Sequence, residues 1–350
     1  MTHQSPDPKR VSVAAPLPVP RLPPLTRLGR DRIAWVKWIA VRLGGAALTL
    51  WLLSVIVFTA GQWLPGDVGR AVLGPLADAH AVASLNHQLG VDRPLWLQYG
   101  QWLGKVLSGD LGNSYTYRSA VAPFVTAALF NSAKLGGLAF VLVVPLGIGG
   151  GVFAALRQGH WPDKLLTVFG LSATVLPEFI SSIILILVFG VWLQWLPVSA
   201  TAPPGAGFFT QCRYLLMPAI PLILVFFGYI ARITRTGMID ALHADYTRTA
   251  ILKGLPRRTV VMRHVLRNAL LPTVTVATTQ LGYLIGGLVV VETIFHYQGI
   301  GSLIFSATQT RDFPMLEAGV LAVGLVYTIA NLAAEIIHRG LNPRLRTVRK

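Results

Sequence analysis

Six stretches of this chain stay apolar for about 20 residues or more, long enough to cross roughly 30 Å of hydrocarbon as helices. They lie at about Gly44 to Leu64, Ala133 to Leu156, Leu165 to Trp195, Tyr214 to Ile233, Leu270 to Val291 and Met315 to Ile337. Inside a bilayer every backbone amide needs a partner within the protein, which leaves only helices and closed barrels. Barrel strands are about 10 residues long and alternate in polarity, and these runs do neither. The expected fold is an all-α membrane protein, a polytopic bundle of six transmembrane helices. Charged residues make up only 13% of the chain, against roughly 25% in soluble proteins.

The net charge of +16 is a topology signal more than a nucleic-acid signal, because the 30 Lys and Arg residues are unevenly placed. Eight precede the first span, two sit at Arg157 and Lys164, eight run from Arg232 to Arg267 and five follow the last span, which puts 23 on one side. The other seven are Arg70, Arg93, Lys105, Arg118, Lys134, Arg213 and Arg311. The positive-inside rule makes the richer side cytoplasmic, and an even number of spans puts both termini there. Cys212 stands alone, so an intrachain disulfide, a CxxC redox pair and a thiolate metal cage are all excluded. Residues 1–36 are rich in Pro and Arg and lack the apolar core of a signal peptide. They are expected to form a disordered cytoplasmic tail ahead of one six-span domain, 37–350.

Two polar segments interrupt the apolar pattern. The outer loop, about 65–132, is too long for a plain connection. Within it Asp92 is placed to cap a helix with Pro94 just inside. Leu95, Tyr99, Trp102, Leu103 and Val106 then recur at helical spacing, as in an amphipathic helix against the bundle or membrane surface. An ordinary packed loop helix would show the same pattern.

The cytoplasmic loop, about 234–269, is the most informative stretch. Asp245 can cap a short helix, Lys253 sits near its negative end, Gly254 suits a left-handed stop and Pro256 prevents continuation. Two turns are marginal alone in water, so the helix needs packing. Tyr246, Thr249, Ala250 and Lys253 are its candidate outward contacts, suited to a groove on another protein. A second helix, about Arg257 to Leu270, carries Arg263, His264 and Arg267 and is expected to brace the first. The plainer alternative is a basic loop that only enforces orientation.

The stretch Asp245-Tyr246-Thr247-Arg248-Thr249-Ala250-Ile251-Leu252-Lys253-Gly254-Leu255-Pro256, followed by Arg263-His264-Val265-Leu266-Arg267-Asn268-Ala269-Leu270-Leu271-Pro272, closely resembles the coupling-loop motif of ABC importer permeases. It is similar to the dipeptide/oligopeptide/nickel branch, the first-permease type with a long outer loop after the first span. In the general motif, Glu-Ala-Ala, three residues, then Gly, the matching positions are Arg248, Thr249, Ala250 and Gly254. Arg248 replaces the Glu, and Arg267 replaces a later Pro, as the peptide-type branch does. Further landmarks follow in order: Leu64-Pro65-Gly66-Asp67, Leu89 to Leu95, Gly109 to Ser114, Leu176-Pro177-Glu178-Phe179 and Val291-Glu292-Thr293-Ile294-Phe295. Where the family has Pro-Gly-x-Gly, this chain has Gln298-Gly299-Ile300-Gly301, which leaves the rigidity of that outer turn open.

The resemblance implies a type I ABC importer permease-like bundle in the cytoplasmic (inner) membrane of a prokaryote. It implies as partners a homologous second permease subunit, one or two ABC ATPase subunits, an extracytoplasmic solute-binding protein and membrane lipid. It also implies ATPase coupling through Asp245, Tyr246, Arg248, Thr249, Ala250, Lys253 and Gly254. The chain has no phosphate-binding loop, since its only Gly-Lys pair, Gly104-Lys105, is followed by Val106. ATP and Mg are expected on the partner, with no cofactor held here, and dipeptides, oligopeptides or related solutes, nickel included, are the implied cargo.

For a translocation path, the third span is read with Thr174, Glu178, Ser181 and Ser182 on one face, and the fifth carries Thr275, Thr278, Thr279 and Gln280. Glu178 leads because an ionisable residue inside a bilayer faces a cavity or a partner, and Thr275, Thr279 and Gln280 follow. Serine and threonine can equally bond back to their own helix. Gly147 with Gly151, and Gly282 with Gly286, have the spacing of close helix contacts. His80 and His87 lack a third ligand, and neither a metal site nor an enzyme motif is evident. An ion-gradient-driven secondary transporter would call for inverted repeats and broken-helix pairs, and neither is read in the sequence. A scaffold without transport is the third reading, and only the ABC reading requires a stoichiometric ATPase.

Overall fold

The computed structural model describes residues 27–63, 68–74, 76–90 and 92–341. Residues 1–26 of the expected tail, the Leu64 to Asp67 landmark and Val91 lie outside the described residues. Every named element is helical. The chain divides into two units, Met1–Gly45 and Ala46–Lys350. In the first, α1 (Arg27–Trp63) begins, taking in residues 27–36 of the expected tail, and the Arg42 guanidinium stands 5.9 Å from the Trp38 ring.

The second unit takes the rest of α1 and then α2 (Val68–Leu73), α3 (Ala79–Leu89), α4 (Leu95–Leu107), α5 (Val121–Leu156) and α6 (Trp161–Val175). Next come α7 (Glu178–Leu185), which runs into a π-helical stretch at Ile186–Trp192, α8 (Phe208–His243) and α9 (Asp245–Leu252). The chain continues through α10 (Arg257–Thr259), a π-helical stretch at Val260–Val265, α11 (Leu266–Ile294), α12 (Ile300–Thr310) and α13 (Phe313–Leu341). Among the described residues, four helical segments are long and apolar enough to cross a membrane: Lys37–Gln62, Val121–Leu156, Phe208–His243 and Phe313–Ile337. Two bent pairs, Trp161–Val175 with Glu178–Trp192 and Arg257–Leu284 with Gly286–Ile294, bring the total to six if each pair is one span, which corrects the reading that the sequence holds no broken-helix pairs.

The third apolar run is not a single rod. Its two halves meet at 106°, because Pro177 supplies no amide and clashes with a helical residue before it. Leu176 is accordingly extended, with ψ 117°. Thr174 therefore lies on α6 while Glu178, Ser181 and Ser182 lie on α7, which corrects the expectation of one shared face. Both Ser hydroxyls donate to the Glu178 carbonyl, at 3.0 and 2.6 Å.

α5 packs most extensively against α8, and glycine permits the approach. A Cβ on Gly147 would fall 2.7 Å from Ile230, and one on Gly151 would fall 2.5 Å from the Ala231 carbonyl oxygen. On α11, Gly282 faces Tyr327 of α13, whereas Gly286 faces open space. The central core around these contacts includes Leu135, Met217, Leu222, Ile230 and Val291.

The amphipathic outer helix is α4. Its cap is Pro94, with no side-chain hydrogen bond. Asp92 is not the cap and lies 3.7 Å from the His87 Nε2 atom. Tyr99 and Trp102 pack on Phe58 of α1 with ring centroids 5.5 and 5.4 Å away, and the Tyr99 hydroxyl is 2.8 Å from Ser54 Oγ.

Candidate functional site

The short helix after α8 exists as expected, with its start shifted by one residue. Ala244 is the extended N-cap and makes no side-chain cap bond. Asp245 is the first helical residue, so it acts on the helix dipole and does not cap a free amide. Anchorage comes from Thr247, which the sequence reading did not single out. Its buried hydroxyl donates to the Ala241 carbonyl at 2.7 Å, tying α9 back to the last turn of α8. A Thr two residues inside a capless helix start was the available signal.

The far end is a Schellman stop. Gly254 has φ +76°, its amide donates to Ile251 O at 2.9 Å, and the Leu255 amide donates to Ala250 O at 3.4 Å. Ala250 is not an outward contact: it is 6% exposed and packs with Ala155, Met238, Ala241, Val260, Val265 and Ala269. The expected bracing helix, Arg257 to Leu270, is real as α10, a π-helical stretch and the first turn of α11, and it packs through this cluster. Tyr246, Arg248, Thr249 and Lys253 are exposed, and the outer end adds two apolar side chains, Ile251 at 60% and Leu252 at 80% exposure. What α9 presents to solvent is thus more apolar than Tyr246, Thr249 and Lys253 alone suggested.

Further bonds fix what α9 leans on. Arg235 of α8 grips Asp163 of α6 with two hydrogen bonds, Nε to Oδ1 at 2.5 Å and Nη2 to Oδ2 at 2.8 Å. The Gly159 amide donates to the same carboxylate at 2.9 Å. Thr234 Oγ1 lies 3.1 Å from Thr273 Oγ1, joining α8 to α11, and Thr234 also donates to Ile230 O at 2.8 Å.

The expected path residues are not brought together. Glu178 is half-buried, and one of its carboxyl oxygens lies 3.5 Å from where a Cβ on Gly287 would sit. Gly287 follows Thr275 on α11 by twelve residues, a rise of about 18 Å. Thr275 and Thr279 donate back to their own helix, to Leu271 O at 3.1 Å and Thr275 O at 2.6 Å. Gln280 is half-buried.

Elsewhere in the bundle one buried carboxylate does the work that the missing proline left open, and a second holds the outer loop. Glu292, fully buried, accepts from Ser132 Oγ, from the Gly301 amide at 2.8 Å and from the Ser302 amide at 3.2 Å. Ser132 Oγ in turn accepts from the Ile300 amide at 2.8 Å. The turn Gln298 to Gly301 is thus held to α5 and α11 by side chains. Asp312 similarly holds the outer loop, accepting from the Ser114 hydroxyl and from the Tyr115 and Thr116 amides, both at 3.2 Å. Burial and the nearby Glu317 and Asp312 push the Tyr115 hydroxyl up to about 12. Among the described residues no three His, Cys, Asp or Glu side chains are grouped to hold a metal.

Comparison with known proteins covers most of the chain. Residues 147–347 match the family described as "Binding-protein-dependent transport system inner membrane component", and residues 35–135 match its N-terminal family, "Binding-prot-dependent transport system membrane comp, N-term". The "Glutathione transport system permease protein GsiC" of Escherichia coli strain K12 is 34% identical over 311 residues, covering 89% of this chain and 99% of that protein. The proteins of the same name from Escherichia coli O6:H1 and Shigella flexneri serotype 5b match at the same identity and coverage. A solved structure, "Crystal structure of an amino acid ABC transporter with histidines", overlaps with TM-score 0.45 and 16% identity, covering 62% of this chain and 94% of that one. The bundle and the coupling-loop motif agree with the family matches: this chain belongs to the binding-protein-dependent transport system inner membrane components, the integral permease subunits of ABC importers.

Proposed function

We propose that this permease carries peptides or similar small solutes into the cytoplasm, and that α9 is the peg through which a partner ATPase drives it. The observation that carries the proposal is a rigidly mounted helix with an apolar tip. Thr247 and Ala250 hold α9 to the bundle while Tyr246, Ile251 and Leu252 point outward, and exposed apolar groups rimmed by polar ones mark protein contacts. In this reading Asp245, Arg248, Thr249, Lys253 and Gly254 surround or shape the contact, and closure of the ATPase moves the bundle between two access states. ATP and Mg are held by the ATPase, solute is delivered by an extracytoplasmic binding protein, and a homologous permease completes the path. Both termini lie in the cytoplasm, as the Lys and Arg distribution favours. The peptide cargo is supported by the relatives named for glutathione, a tripeptide-like solute. Glu178, Thr275, Thr279 and Gln280 are the residues proposed to line the path.

The backbone at Gly254 supplies the test. No neighbour blocks a side chain there, but φ is +76°, a conformation costing about 1–2 kcal/mol for most L-residues and less for Asn. Gly254→Val is expected to abolish transport while the protein still inserts, and Gly254→Asn to retain most of it. Equal transport by both variants with unchanged ATPase co-purification refutes the peg, as does a native complex lacking a nucleotide-hydrolysing subunit. For the path, a Cys at position 178 in a Cys212-free variant should be labelled by a water-soluble maleimide in one ATPase state; no labelling in either state removes Glu178 from it.

A further inference from the structure

A cavity of about 570 Å³ opens between the end of α1, the outer helix α4 and the start of α13. It is remote from the path residues and from α9 in sequence, and the transport reading makes no use of it. Its wall carries Glu317, which is only 8% exposed. Trp102 of α4 lines the same cavity, and the Glu317 carboxylate lies against Gly61, where a Cβ would come 2.8 Å from Oε1. Lys105, the basic side chain on the rim, makes no ion pair with it among the described residues. The rest of the rim is amide-rich, with Gln62, Gln98 and Gln101. Among the described residues this buried carboxylate has no ion-pair partner and is poorly compensated, and an ammonium group offering N–H donors would satisfy it best.

The depth of the cavity narrows the source. Glu317 is four residues into α13, about 6 Å along the helix, which is on the scale of one headgroup layer. The roofing helix α4 leaves Leu95, Trp96 and Leu107 exposed at 54, 74 and 79%, the pattern of a helix lying in the membrane interface. We propose that this cavity binds a primary ammonium group through Glu317, supplied by the headgroup of an outer-leaflet phosphatidylethanolamine. A free soluble amine carries the same chemistry, and the test separates the two.

The intact importer complex is released from nanodiscs of mixed phosphatidylethanolamine, phosphatidylcholine and phosphatidylglycerol, and retained lipid is counted by native mass spectrometry. Retention of the primary-amine lipid at least tenfold above the trimethylated one is expected, with the preference lost in Glu317→Gln. A second variant at the exposed rim, Gln62→Lys, brings a tethered ammonium as competitor and should lower retention without disturbing the buried contact. Delipidated complex is also titrated with ethanolamine. Glu317-dependent binding of ethanolamine without lipid preference keeps the ammonium site and assigns it to soluble amines. Equal retention of all three lipids with no ethanolamine binding overturns the proposal, as does a preference unchanged in both variants.

Discussion

Removing Arg235 should be among the most damaging single changes available in the bundle. Its guanidinium meets Asp163 in a two-pronged geometry at 2.5 and 2.8 Å, with the carboxylate side chain 4% exposed and the guanidinium 27% exposed. Deleting one partner of a buried pair strands the other and costs about 3–5 kcal/mol. Residual access of water to the Arg235 side favours the lower end, about 3 kcal/mol. Arg235→Met keeps most of the stem and removes the charge, so the loss reports electrostatics and not a cavity. Asp163→Asn combined with Arg235→Met strands no charge, and the double variant should recover about 2 kcal/mol relative to the sum of the singles. SDS denaturation midpoints of the purified complex, followed by circular dichroism, give the three energies. Strict additivity refutes the coupling, and with it the idea that α6 is tied to α8 through this pair.

Gly151→Leu forces a side chain into the Ala231 carbonyl and Thr234, so it should cost about 1–3 kcal/mol or more and lower the yield of assembled complex, while Gly149→Leu, at a position facing open space, should not. Glu292→Leu leaves the Gly301 and Ser302 amides and the Ser132 hydroxyl without their acceptor. At about 1–3 kcal/mol per buried unpaired group it should speed hydrogen exchange of the 299–302 amides; unchanged protection would refute the clamp. The Tyr297 hydroxyl, pushed up to about 12 by burial and then by the Glu292 carboxylate, is held neutral in the fold above the ordinary tyrosine value near 10. Its contribution is therefore complete below about pH 10 and lost as pH climbs through 12. Tyr297→Phe should flatten that alkaline loss while costing about 1 kcal/mol at neutral pH for the bond to Asn131 O.

Apolar run length, the Gly254 stop and the Pro256 break were all legible in the sequence, because each depends on only a few neighbouring residues. The 106° turn at Pro177 was not. Pro145, Pro218, Pro221 and Pro272 all sit inside continuous helices, where packing neighbours can accommodate the lost amide. Proline alone does not say which of the two will happen; tertiary context decides. The outward face of α9 was misread at Ala250 for the same reason. An alanine carries no polarity signal, and its burial depends on Val260, Val265 and Ala269 arriving from a segment ten or more residues away. The ties Asp163 to Arg235 and Ser132 to Glu292 join residues 72 and 160 apart, a separation at which one sequence gives no pairing information.

Under the proposed function, the connections of α9 explain how a small surface helix could act on a large bundle. A single extended residue, Ala244, separates it from α8, and four residues, Lys253 to Pro256, separate it from the helical run that becomes α11. Neither link has slack enough to absorb a displacement, and Thr247 and Ala250 remove what remains at the α8 side. α8 is itself pinned to α6 by Asp163 and to α11 by Thr234 and Thr273, with Gly237 allowing close approach to the Ala269 backbone. A push on α9 therefore reaches α6, α8 and α11 together. The turn at Pro177 is the break in that chain of contacts, and beyond it α7 carries Glu178 against α11. Under the proposed function, relative motion between a pinned α11 and an α7 set off by that turn is where access to the path would change.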